Sequence, residues 1–255
     1  MNDGKPSLPR QLHELALGRI VERYQLQEIH ADAGGPYLSF VCQAGFAEGA
    51  DVGYMRLFRG GPFFQVVTST IVVPQIQLDS HMVFAFTPSD SPVPHFTVDS
   101  VRAGDHHAFH LDLIPRMDLG ANLDYMNEAF QPLTQACVAG RAIEGLSRAE
   151  LSPRQWAIMS PWMLAHRATT EAFRQINETV LSYQEHWFKL VDNGLSAAAV
   201  AHTSPQQLAE RDQRNKAILF NAEVDPVWNQ ITPLLGADTV QKQIQVLQAV
   251  SRNRG

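Results

Sequence analysis

Residues 77–119, QLDSHMVFAFTPSDSPVPHFTVDSVRAGDHHAFHLDLIPRMDL, decide the fold. From Leu78 the positions separate by parity. Leu78, Ser80, Met82, Phe84 and Phe86 form one set, and Asp79, His81, Val83, Ala85 and Thr87 the other. This period of two predicts a strand. It runs into Thr87 to Pro94, where three prolines and two serines mark a turn. A second strand sends His95, Thr97, Asp99 and Val101 one way and Phe96, Val98 and Ser100 the other. After a short turn, a third separates His107, Phe109, Leu111 and Leu113 from Ala108, His110, Asp112 and Ile114. A histidine and a carboxylate therefore stand mid-strand on neighbouring strands, an unusual place for either.

Upstream, Tyr37 to Gln43, Gly53 to Phe58 and Phe63 to Val73 read as further short strands, separated by glycine-bearing breaks. About six consecutive strands on hairpin-length connections predict an antiparallel meander. Residues 9–24 precede it as an amphipathic helix, with Leu12, Leu15, Leu17, Ile20 and Val21 as its apolar stripe and Pro9 in its first turn. Downstream the period lengthens. Asn122 to Ala139 reads as a helix broken at Pro132. Ser152-Pro153 and Ser160-Pro161 mark turns or helix starts. Thr170 to Val191 is a long helix stopped by Asn193-Gly194. Further helices run from Ser204-Pro205 through Phe220 and from Thr239 to Val250. The expected fold class is α+β: a three-layer α/β/α sandwich with a central antiparallel sheet. Residues 1–255 are expected to form a single domain, with the leading helix in 1–30, the sheet in 36–116 and a helical layer in 120–252. The leading helix would cover one face and the C-terminal helices the other.

A net charge of -6 without a basic run argues against nucleic-acid binding. Cys42 and Cys137 lie far apart, which suits a reducing cytosol and not a disulfide framework. The polar N-terminus is no signal peptide, and no apolar run is long enough to span a membrane, so a cytoplasmic protein is expected.

His81 and Asp99 lead the candidate chemistry. On an antiparallel sheet they could face one layer, where burial and a charged neighbour would tune both for proton transfer. The alternative is a histidine satisfied by a carboxylate for packing alone. His106-His107-x-x-His110-x-Asp112 invites a metal reading, but adjacent strand residues point to opposite faces, leaving His110 and Asp112 with His95 as a third ligand. No G-x-S-x-G, phosphate-binding glycine loop or G-x-G-x-x-G is present.

The segment SHMVFAFTPSDSPVPHFTVDSV, Ser80 to Val101, resembles the ferredoxin-dependent bilin reductases, in which a strand histidine precedes a proline-bearing turn, Pro-x-Phe and a strand aspartate. His81, Pro94-His95-Phe96 and Asp99 follow that order with about one extra residue in the turn. LDLIPRMDLGANLDY (Leu111 to Tyr125) and SPWMLAHRAT (Ser160 to Thr169) are similar to stretches of the red chlorophyll catabolite reductases, plant relatives in the same superfamily. AERDQRNKAILF (Ala209 to Phe220) resembles the C-terminal bilin-reductase helix that reads Q-x-x-N-D-K. The motifs are closest to the red chlorophyll catabolite reductase-like branch.

The resemblance implies an oxidoreductase that reduces a linear tetrapyrrole, such as biliverdin or a chlorophyll catabolite. The pigment would lie between the sheet and the C-terminal helices. Single electrons would come from ferredoxin, with no flavin, nicotinamide or metal in the enzyme. His81 and Asp99 would be the catalytic pair. Val83, Ala85, Phe109 or Leu111 would keep the pocket dry. Substrate contacts would fall to Ser69, His95, Arg116, Asp212, Asn215 and Lys216, with Arg116 and Lys216 holding the propionates. Two departures stand out. Ser69 or Thr70 occupies the place where some members carry an acid. The family's helix aspartate falls at Asn215, with Asp212 one turn earlier. A non-catalytic tetrapyrrole carrier on the same fold is the alternative, and a metal hydrolase a third class. The chain would be a monomer or homodimer.

Overall fold

The computed structural model describes residues 5–251; the outermost ends of the expected domain, 1–4 and 252–255, lie outside the described residues. A nine-stranded antiparallel sheet forms the middle layer. Its strands are β1 (Gln27–Ile29), β2 (Leu38–Val41), β3 (Asp51–Gly60), β4 (Phe63–Val73), β5 (Leu78–Phe86), β6 (His95–Ala103), β7 (His106–Ile114), β8 (Leu146–Arg148) and β9 (Leu164–Ala168). The order is β1-β3-β4-β5-β6-β7-β9-β8, with β2 also paired to β3. The expected α+β sandwich is therefore the observed one, and the six-strand meander is its centre.

Among the described residues, eight α-helices flank the sheet: α1 (Leu8–Tyr24), α2 (Leu123–Ala129), α3 (Thr134–Arg141), α4 (Pro153–Ile158), α5 (Thr170–Asn193), α6 (Pro205–Leu219), α7 (Val227–Leu235) and α8 (Ala237–Gln248). Their boundaries follow local chemistry. Ser7, Ser152, Thr169 and Ser204 cap α1, α4, α5 and α6 through their hydroxyls, with capping boxes at Ser152 and Ser204. Pro132 sits in the 3-10 turn that separates α2 from α3. Gly194, at φ 72°, ends α5.

Two expectations need correction. Residues 120–252 are not purely helical, because β8 and β9 lie among them and extend the sheet beyond β7. Nor do the C-terminal helices share one layer. Helix α5 packs beside α1: Arg19 bonds Gln184 and Glu185, and Gln184 donates to the carbonyl of Ala16. The apolar stripe Phe173, Ile176, Val180, Tyr183 and Trp187 has its partners there, in one core with Leu12, Ile20, Val83, Ala85 and Phe96. Helices α6 to α8 cover the opposite face, where Phe84, Phe86 and Ile114 meet Leu219, Phe220, Trp228 and Leu247. These are the α1 face and the α6 face below.

Candidate functional site

Register decides which side chains can act together. On β5 and β6, Met82 is opposite Asp99, and His81 is opposite Ser100. His81 therefore points to the α1 face and Asp99 to the α6 face. The two do not form the expected pair, because strand neighbours alternate and one residue of register inverts the face. The same alternation carries Val83, Ala85, Phe109 and Leu111 to the α1 face, so they do not shield Asp99. His81 has a structural environment of its own. Its Nε2 lies 2.7 Å from Asp79, its Nδ1 3.1 Å from the Thr70 hydroxyl, and its ring 5.2 Å from that of His13. Burial pushes the Asp79 carboxyl up, but the hydrogen bonds from His81 and Ser7 outweigh it and hold the group below its ordinary range.

The histidine that meets Asp99 is His110. The two are opposite in the β6–β7 register, and Nδ1 of His110 lies 3.3 Å from the Asp99 carboxylate. Across the α6 face one row reads Ser69, Met82, Asp99, His110, Ala165. This row stands where cover gives way. Phe84, Phe86, Thr97, His95, Asp112 and Ile114 are buried beneath the helices, whereas Ser80, Met82, Asp99, Val101, Ala108 and His110 are only half-buried. The side chains of Asp99 and His110 are 37% and 18% exposed in the middle of a nine-stranded sheet. This half of the α6 face is thus only partly covered; it is called the slot below, and the acid–imidazole pair stands on it.

Polar capacity in the slot is unspent. Among the described residues, Asp99 Oδ1, His110 Nε2 and Gln243 Nε2 have no hydrogen-bond partner. Ser69 donates to Gln243 on α8 at 3.5 Å, which brings Ser69 to the slot wall. Burial pushes the His110 pKa down, but the Asp99 hydrogen bond and the fields of Asp99, Asp112 and Asp225 outweigh it and raise the pKa above the ordinary value. Burial and the charge of Asp99 raise Asp225. An imidazolium beside a carboxylate, both opening onto a slot, can donate and recover a proton.

Behind the pair lies Asp112, which accepts from the Ser160 amide at 2.9 Å and the Ser160 hydroxyl at 2.5 Å. Burial pushes its carboxyl up to about 7 despite His110 and these two donors. The folded state therefore holds a proton that the unfolded carboxyl releases earlier, and stability falls as pH rises from the ordinary carboxylate range to about 7. Asp112→Asn cannot release that proton. Between about pH 4 and pH 7 its stability relative to wild type is expected to rise by on the order of 2–4 kcal/mol. Urea denaturation across that range checks this; parallel curves for the two proteins would remove Asp112 as the source.

The remaining expected contacts form a second, closed cluster. Asp212 on α6 is its hub. It accepts from His95 Nε2 at 2.9 Å and from the Arg116 guanidinium, and its Oδ2 is ion-paired with Lys216 Nζ at 3.0 Å. Thr87 N–H donates to His95 Nδ1, which fixes the neutral tautomer, and burial holds the His95 pKa down to about 3. Arg116 also donates to the carbonyls of Ser89 and Ser91, and Lys216 to that of Ala249. Burial lowers Lys216 to about 8, whereas the cluster's cations and His95 outweigh burial and lower Asp212. His95, Asp212 and Lys216 have no exposed side-chain surface. Arg116 and Lys216 are therefore committed to Asp212 and are not placed for propionates; the cluster clamps α6 to the turn before β6. Asn215 is half-buried at the border of the inner stripe of α6. His95, His110 and Asp112 share a face but do not converge as metal ligands, each being bonded to a different partner.

Neither a protein-family model nor a curated protein matches the chain. Among solved structures, the chain is similar to phytochromobilin synthase from tomato, crystallised in complex with biliverdin. The TM-score is 0.72 at 17% identity, covering 94% of this chain and 82% of that one. At that identity the likeness establishes the fold, and it extends over the sheet and both helical layers.

Proposed function

We propose that this chain is an oxidoreductase that reduces a linear tetrapyrrole lying in the slot on the α6 face, with Asp99 and His110 exchanging protons with the pigment. The observation that carries the reading is the half-open Asp99–His110 pair in the floor of a sheet whose fold matches a biliverdin-bound protein. Ferredoxin is the electron donor in this reading, passing one electron at a time, without a flavin or nicotinamide in the enzyme. Each double bond reduced takes up two electrons and two protons. His110, whose pKa the surrounding carboxylates raise, passes its proton to Asp99 as Asp99 delivers it to the pigment, and the pair takes up the next proton from solvent. Met82, opposite Asp99 in the row, limits water near a radical. Arg167, exposed and on the same face as Ala165, stands opposite Ala108 at the rim and suits a propionate. Unpaired, buried Cys42 and Cys137 fit a reducing cytosol.

Ser69 and Met82 supply no acid beside Asp99 in the row, which favours as second reading a tetrapyrrole-binding protein without turnover. An anaerobic visible absorption series separates the two. Protein is mixed with biliverdin, then given ferredoxin and a reducing system. A shifted bound spectrum that evolves to a new species supports reduction. A bound spectrum that stays constant supports the carrier, and no spectral shift on mixing rules out biliverdin as ligand.

A further inference from the structure

A cavity of about 240 Å³ lies at the far edge of the sheet, beside β8 and β9. Arg141, Arg148, His166, Trp156, Leu146 and Met163 line it, and none of its lining residues is acidic. Arg141, at the end of α3, donates through Nη2 to the carbonyls of Pro161 and Met163 at 2.8 and 3.2 Å, which leaves its other N–H groups unspent. Arg148 is the register partner of His166 and lies 4.4 Å over the Trp156 ring. Among the described residues, neither arginine forms an ion pair with a carboxylate. His166 is 7% exposed and stacks against Phe109, and its buried Nδ1 has no partner among the described residues.

We propose that this cavity is a binding site for a small organic carboxylate. Two arginine forks without counter-ions match a carboxylate, and the His166 nitrogen that lacks a partner completes the polar end. The indole of Trp156 with Leu146 and Met163 forms an apolar wall for a short hydrocarbon body. The volume lies below that of pockets for drug-sized ligands, so the occupant is a ring-sized monoacid and not a tetrapyrrole. The cavity shares Ala165 with the slot row, but its polar end is elsewhere: His166 pairs with Phe109 on the α1 face while His110 points to the α6 face. The proposal therefore does not depend on the reductase reading.

Benzoate tests it on the full chain, with phosphate and chloride at matched ionic strength as comparators. Benzoate is expected to raise the melting temperature saturably and to shift one histidine in long-range ¹H–¹⁵N spectra, the one missing in His166→Gln. Arg148→Gln, and Arg148→Lys as a variant that keeps the charge, are expected to weaken benzoate at least tenfold. Arg154→Gln, outside the cavity, is expected to bind as wild type does. No saturable effect, equal affinity in the Arg148 variants, or equal stabilisation by phosphate would overturn the assignment.

Discussion

Asp212→Ala is expected to destabilise the protein by about 3–5 kcal/mol, the range for breaking a buried ion pair on one side only. The loss comes less from the attraction removed than from what stays behind. Arg116 and Lys216 would remain buried as cations with no carboxylate, and His95 Nε2 would lose its acceptor. Asp212→Asn keeps the volume but not the charge, and is expected to recover little. Replacing Arg116, Asp212 and Lys216 together with apolar residues of similar size is expected to cost far less than Asp212→Ala, because no uncompensated charge is left. Equilibrium denaturation of the three proteins checks the order. Asp212→Ala within about 1 kcal/mol of wild type would show that the cluster does not clamp α6.

Asp99→Asn is expected to preserve pigment binding and to reduce turnover roughly 10²–10⁴-fold, the usual contribution of a positioned acid–base group. The shape of the slot floor is unchanged by the substitution, and the amide still reaches His110. What is lost is the carboxylate that relays the His110 proton. His110→Gln is expected to act in the same direction, since it removes the group that resupplies Asp99. Stopped-flow spectra under anaerobic conditions separate the binding step from the later colour change. Loss of binding in Asp99→Asn with turnover per bound pigment unchanged would make Asp99 a structural residue.

The strands were legible because burial on one face alone produces period two. The burial of β5 alternates from Leu78 to Val83 as the sequence alternates. Register across the long proline-bearing turn was not legible. Whether His81 or Met82 stands beside Asp99 depends on one residue of turn path between Phe86 and His95, which composition does not specify. The Asp99–His110 pair, by contrast, was within reach. Gly104-Asp105 is a two-residue hairpin loop between the opposed residues Ala103 and His106, and counting back from it places Asp99 opposite His110.

Short elements explain the other omissions. Strand β8 has three residues and β9 five, too few for a period, and α7 carries Pro233 inside it. Asp212 and Lys216 are one helical turn apart and could be read as a pair, but Arg116 joins them from 96 residues away in sequence, which only the tertiary fold reveals. Asp225 lies in the loop before α7, and its field on His110 has no local sequence pattern.

The central claim is that protons reach the pigment from the α6 face. Its most direct test is anaerobic single turnover of bound biliverdin by reduced ferredoxin in His81→Gln and His110→Gln, measured side by side. The account predicts that His81→Gln turns over within a few-fold of wild type while His110→Gln falls by about two orders of magnitude or more. A His81→Gln variant that folds and binds pigment but does not reduce it, beside an active His110→Gln, would contradict the account and return the catalytic histidine to the α1 face.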